Sequence, residues 1–157
     1  MDPVKILFVC WGNICRSPAA ECVLQKMIDD QELSGEVSCD SAGTISAHAG
    51  QPPDERMSQH ASMRSIPVRG QSRMVTPEDS HKFDLILAMD RSNYSDLKAM
   101  GFTSNRKAEL KLFGHFIDPE NPPEVPDPYY GGHQGFETVL DMVEEGCARL
   151  IEHVLNR

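Results

Sequence analysis

The sequence predicts a doubly wound α/β sheet. Strand-like apolar runs alternate with segments of helical apolar spacing. The first of these runs, within Lys5 to Cys10, is continuously apolar, as in a strand buried on both faces. The length of 157 residues suits one domain, 1–157, able to bury about two-thirds of its unfolded surface.

Lys5-Ile-Leu-Phe-Val-Cys10 reads as the first buried strand, and Trp11 to Arg16 as a loop. Ser17 can cap a helix, and Pro18 fits its first position. Ala20, Val23, Leu24, Met27 and Ile28 then recur at helical spacing up to about Asp30. Val37 to Gly43 reads as a second strand, followed by a Gly/Ala/Pro-rich loop from Thr44 to Pro53. A helix is expected from Asp54 to about Ser65, a strand from Phe83 to Met89, and a helix from Asp90 to Met100. Ala108 to Phe113 is the fourth strand. Five prolines between Asp118 and Gly132 exclude regular structure there. Phe136, Val139, Leu140, Val143, Cys147, Leu150, Ile151 and Val154 mark a long amphipathic helix from His133 to Val154.

Composition narrows the function. Apolar residues make up 39% and charged residues 25%, which excludes a disordered or fibrous chain. A net charge of -9 disfavours nucleic acid or an anionic membrane as partner, although it says nothing of a single pocket. No stretch approaches the roughly 20 apolar residues of a bilayer span. The apolar run Ile6–Trp11 is too short for a secretory core, so a cytoplasmic protein is expected. Cys10, Cys15, Cys22, Cys39 and Cys147 form no disulfide framework, and although Cys10 and Cys15 stand at a nominally acceptable zinc-ligand spacing, no second Cys or His pair follows to complete a site. His48, His60, His81, His115, His133 and His153 show no ligand pattern and read as surface or structural residues. The eight methionines read as core filling.

The loop after a first strand is where ligands gather in such sheets. Here Cys10 and Arg16 are separated by five residues, at the end of a strand and just before a helix. Inward-turned backbone N–H groups and the positive helix end make an anion site, which also stabilises a thiolate. Arg16 offers a planar fork for phosphate oxygens. Gly12 permits a conformation that a Cβ would disfavour, and Asn13 tolerates positive φ and can brace the loop. The parts suit phosphoryl transfer to sulfur. The two-residue pattern alone is common; the strand, the helix start and Gly12 sharpen it. Ser17 either caps the helix or donates to Cys10, and Cys15 either faces the core or resolves an oxidised Cys10.

An ester leaving group needs a proton. Asp127, held between Pro126 and Pro128, is the candidate acid, with Tyr129 and Tyr130 placed to flank an aromatic substrate. The alternative is a proline-rich turn with exposed tyrosines. Asp90 and Asn93 read as helix caps, or as braces for the neighbouring loops.

Val9-Cys10-Trp11-Gly12-Asn13-Ile14-Cys15-Arg16-Ser17-Pro18, together with Asp40–Thr44, Met89-Asp90 and Asp127–Gly131, resembles the low-molecular-weight protein tyrosine phosphatases across essentially the whole chain. The resemblance implies a four-stranded parallel sheet flanked by helices on both faces, and a cofactor-independent, metal-free phosphatase. It implies Cys10 as nucleophile, Arg16 as phosphate clamp and Asp127 as acid and base. It implies that Ser17 bonds the thiolate, that Asn13 and Ser41 brace the loop, that Tyr129 and Tyr130 line the entrance, and that Cys15 gives redox protection. Expected partners are phosphotyrosine proteins, with phosphate or sulfate able to occupy the site, and a monomer is expected, with a weak dimer as the alternative. Two departures bear on specificity. Trp11 stands where the family usually has a smaller residue, often Leu, and the loop around Ala47 and His48 lacks the family's aromatic residue, whose surface Trp11 is hypothesised to replace. Ile14 differs from the Thr of a similar phosphoarginine branch and suits a phenyl ring. Related arsenate reductases add a cysteine pair that is missing between Cys39 and Cys147.

Overall fold

The computed structural model describes residues 2–103, 107–128 and 132–156. The elements are β1 (Val4–Cys10), α1 (Arg16–Asp30), β2 (Val37–Gly43), α2 (Glu55–Ser62), α3 (Asp79–Lys82), β3 (Leu85–Ala88), α4 (Arg91–Ala99), β4 (Glu109–Leu112) and α5 (Gly132–Leu155), with a 3₁₀ turn at Phe113–Phe116. The four strands form one parallel sheet in the order β2-β1-β3-β4. From β1 the chain first adds a strand on one side and later two on the other. The end of β1 therefore lies at the switch in strand order, where crossovers diverge and leave a crevice.

Alternation along β1 builds two cores. Ile6, Phe8 and Cys10 face one core with α1, α2 and α5, while Leu7 and Val9 face the other with Ile86, Ala88, Leu97 and Phe102. Both faces are covered, which explains why β1 is continuously apolar rather than alternating. The α5 helix runs close against the Phe113 ring. A Cβ at Gly146 would lie 2.3 Å from Phe113 Cζ, so only glycine admits that approach.

Several boundaries differ from the sequence reading. Ser17 is not the cap of α1. The helix begins at Arg16, Cys15 occupies the cap position without a side-chain cap bond, and the Ser17 hydroxyl is engaged elsewhere. Pro18 is thus the third helical residue, still within the turn whose N–H groups have no intrahelical acceptor. The α2 helix ends at Ser62 rather than near Ser65. Ser65 adopts φ +61°, and Ile66 N–H reaches back to Ala61 O at 3.0 Å, a left-handed termination sealed by buried Ile66. The β3 strand is confined to Leu85–Ala88. The short α3 was not foreseen; it begins at buried Asp79, whose carboxylate accepts from Thr76 N–H at 2.8 Å. From Ile117 to Asp127 the proline-rich chain forms neither helix nor strand. Among the described residues no helix is long and apolar enough to cross a membrane.

Candidate active site

Cys10 ends β1, and the chain from Trp11 to Cys15 curls over the carboxyl end of the sheet into α1. The Cys10 sulfur receives the Asn13 N–H at 3.3 Å and lies 2.9 Å from Ser17 Oγ. The Asn13 side-chain amide donates to Ser17 Oγ at 2.8 Å and to Ser41 Oγ at 3.0 Å, and its Oδ1 accepts Arg73 N–H at 3.0 Å. Ser41 then donates to Glu21 Oε1 at 2.6 Å. With Asn13 donating to it, the Ser17 hydroxyl keeps its own proton for the sulfur, its shorter alternative to Ala42 O at 3.4 Å. The result is a directed chain of donors ending on Cys10.

Asn13 carries the loop's one left-handed turn, at φ 57°. Its short amide tolerates that conformation and the three bonds fix it. Gly12 serves a different purpose from the one predicted. Its φ is ordinary, but a Cβ there would lie 2.9 Å from His48 Cδ2. Gly43 is needed for the same kind of reason. A Cβ at that position would meet Trp11 O at 2.7 Å, so β2 could not end beneath the loop.

Arg16 is buried and held from two sides. Its Nη1 donates to Asp90 Oδ2 at 2.6 Å and to Val125 O at 3.0 Å, while Nη2 lies 4.0 Å from Asp127 Oδ2. Burial opposes its charge, but the Cys10 sulfur, Asp90 and Asp127 together raise Arg16 above its ordinary value. Asp90 performs both roles considered for it. Its Oδ1 caps α4 through Asn93 N–H at 2.7 Å, while Oδ2 holds Arg16. Asn93 itself is not a cap.

Asp127 is positioned from the opposite direction. Buried Val125 donates its N–H to Met89 O at 2.8 Å, and its carbonyl receives Arg16. Two residues later the Asp127 side chain, 43% exposed, stands at the cavity edge. Cys10, Trp11, Gly12, Ile14, Cys15, Arg16, His48 and Asp127 line a cavity of about 270 Å³. The structure therefore brings ten predicted residues together or into the bracing behind them. Asn13, Ser17 and Ser41 lie beneath the cavity. Tyr129 and Tyr130 lie outside the described residues.

His48 was missed as a site residue. Its ring forms part of the wall, with Nδ1 paired to Gln51 Oε1 at 3.0 Å, and Trp11, 51% exposed, forms another part. The wall expected to lack an aromatic residue is thus built from an imidazole and an indole. Cys15 is buried beside the cavity. Burial, then Asp54 and Cys10, push its thiol well up. Burial likewise raises the Cys22, Cys39 and Cys147 thiols. A larger cleft of about 550 Å³ runs along α1 past Glu21 and Cys22. We do not assign the chemistry there, because it offers no nucleophile beside a buried anion clamp.

Residues 5–157 match the family model described as low molecular weight phosphotyrosine protein phosphatase. The human low molecular weight phosphotyrosine protein phosphatase is 40% identical over 149 residues, covering 94% of each chain. The crystal structure of a protein tyrosine phosphatase from Entamoeba histolytica, with Hepes in its active site, superposes with a TM-score of 0.88 at 42% identity, covering 98% of this chain and 97% of that one. The structure of a Drosophila arginine phosphatase superposes with a TM-score of 0.87 at 33% identity, covering 96% and 97%. Sequence, sheet order and the cavity at the strand switch converge, and the chain belongs to the low-molecular-weight phosphotyrosine protein phosphatases, enzymes that hydrolyse phosphotyrosine through a cysteine.

Proposed function

We propose that Cys10 is the nucleophile, Arg16 the phosphate clamp and Asp127 the acid and base, within a single catalytic domain spanning 1–157. The observation that carries this reading is the position of the Cys10 sulfur. It receives donors from Asn13 and Ser17 and shares one cavity with Arg16 and Asp127. The Cys10 thiolate attacks phosphorus and forms an S–P bond as the ester P–O bond breaks. Asp127, protonated at that stage, gives its proton to the departing phenolate oxygen. Arg16 and the loop N–H groups hold the equatorial oxygens, where charge is spread in the transition state. Asp127, now a carboxylate, takes a proton from water, the water oxygen attacks phosphorus, and the S–P bond breaks to release phosphate and the thiolate. Asn13, Ser17 and Ser41 position the loop.

The substrate reading is phosphotyrosine in proteins. Ile14, Trp11 and His48 present apolar and flat surfaces to a phenyl ring. A phosphoarginine substrate would bring a cationic guanidinium against Ile14, which offers it no acceptor. Free phosphate or sulfate is expected to bind the same cradle. Cys15, in the cavity wall next to Cys10, is the resolving thiol by which oxidation of Cys10 to a sulfenic acid would be reversed through a disulfide. A cytoplasmic, reducing compartment and a monomeric state suit that chemistry and the acidic surface.

Hydrolysis of p-nitrophenyl phosphate by wild type, Cys10→Ser and Asp127→Ala tests the assignments. Cys10→Ser is expected to be inactive. Asp127→Ala is expected to lose about a hundredfold or more, the usual size of general acid catalysis. Activity persisting in Cys10→Ser would reject the mechanism.

A further inference from the structure

His60 on α2 and His133 in the first turn of α5 lie 73 positions apart in sequence, and folding brings them face to face. Nε2 of His60 and Nδ1 of His133 are 3.2 Å apart, with ring centroids at 5.2 Å and planes at 62°. The remaining ring nitrogen of His60, Nδ1, meets Glu137 Oε2 at 2.5 Å. The His60 ring is fixed by stacking on Phe136, at 5.3 Å and 14°, and its side chain is only 13% exposed. His133 is exposed to solvent.

These features are those of two ligands rather than two unrelated surface histidines. Glu137 holds the proton of His60 on Nδ1, so in the neutral ring Nε2 presents its lone pair toward His133. Two nitrogens bonded to one tetrahedral ion at about 2.0–2.1 Å stand about 3.3 Å apart, close to the separation found here. A carboxylate behind a ligating histidine is the usual outer-shell arrangement, fixing tautomer and ring orientation. Imidazole donors suit zinc, nickel and copper.

We propose that His60 and His133 bind a divalent transition-metal ion, with Glu137 orienting His60 and water filling the other positions. Among the described residues no third His, Cys, Asp or Glu completes a ligand set, so the ion is exchangeable rather than a closed structural centre. The site stands apart from the Cys10 cavity, none of whose lining residues it shares. Its occupant would join α2 to the start of α5, the helix that follows the Asp127 segment in sequence.

The test is calorimetric titration of the untagged, chelator-stripped full chain with nickel chloride. One ion per chain is expected. His133→Ala, an exposed substitution that leaves the core untouched, should weaken binding at least tenfold. Glu137→Gln should weaken it severalfold while keeping both ligands. Nickel should also broaden the ring proton signals of His60 and His133 before any others. Cys10→Ser should bind as wild type does. The proposal fails if no saturable binding appears up to about 1 mM ion, which leaves a hydrogen-bonded histidine pair only. It also fails if His133→Ala binds as tightly as wild type, or if Cys10→Ser abolishes binding and so places the ion in the catalytic loop.

Discussion

The loop from Cys10 to Arg16 and the seam between α2 and α5 are both dense in polar contacts of similar length. Asn13 makes three side-chain bonds at 2.8–3.0 Å in the loop at the carboxyl end of β1. Arg64 makes three ion pairs at 2.7–2.9 Å with Glu137, Asp141 and Glu144 on the outer face of α5. The first set is buried and largely neutral. The second joins groups that water and salt reach, with Asp141 68% exposed. Length does not distinguish them; the environment does. Losing one partner of a buried set strands the others away from water, whereas a surface ion pair is replaced by solvation at little cost.

The largest expected effect lies in the loop. Cys10→Ser keeps shape and bonding partners but removes the thiolate, and kcat should fall by at least about 10⁴-fold with little change in melting temperature. Asn13→Ala comes next. It removes a donor from Ser17 and Ser41 and the acceptor of the Arg73 N–H, and leaves a left-handed residue unsupported. A stability loss of about 2–4 kcal/mol is expected by urea unfolding, along with a fall in kcat. Were Asn13→Ala no more damaging than Arg64→Ala, the contrast between the two regions would collapse.

The cap of α2 gives an intermediate effect with a pH signature. Burial opposes ionisation of Asp54, but bonds from the Arg56 side chain and the backbone N–H groups of Met57 and Arg56 bring its carboxyl below the ordinary value. A depressed folded value means that the stabilisation is present above the unfolded value of about 3.9 and is lost as pH falls through the folded one. Asp54→Ala should therefore cost about 1 kcal/mol at neutral pH and little in strong acid. Glu21 has the opposite sign. Burial, against the Ser41 bond, raises its carboxyl. Its contribution is present at low pH and fades as pH rises through the folded value, so Glu21→Gln should flatten stability against pH above the unfolded value of about 4.3. The smallest effect is on the seam. Arg64→Ala should cost about 1 kcal/mol or less, and 0.5 M salt should remove most of that difference.

How much of this was legible in the sequence follows the same division. The β1 and β3 strands were readable because burial on both faces leaves apolar runs, and the proposed catalytic pair because Cys10 and Arg16 bracket one short loop. What could not be read depends on separation in the chain. Arg73 N–H reaches Asn13 across 60 positions, and Val125 holds Arg16 across 109, with no local pattern to announce either. Ser17 stays open between a cap and a donor to Cys10, because sequence alone cannot distinguish a hydroxyl at the first turn from one turned back to the sulfur, and the structure takes the second alternative. Gly12 was credited with a backbone freedom that Asn13 supplies, since the true reason is the His48 ring packed against it. His48 itself reads as a surface or structural residue; the only signal is the resemblance, which places a wall residue in its loop, because a wall is made by packing and not by spacing.

The account rests on a covalent phosphorus–sulfur intermediate at Cys10, and rapid acid quenching with ³²P-labelled phosphotyrosine peptide tests it most directly. The prediction is label on the peptide containing Cys10 in wild type during turnover, with none in Cys10→Ser. Turnover without any protein-bound label, or label retained in Cys10→Ser, would contradict it.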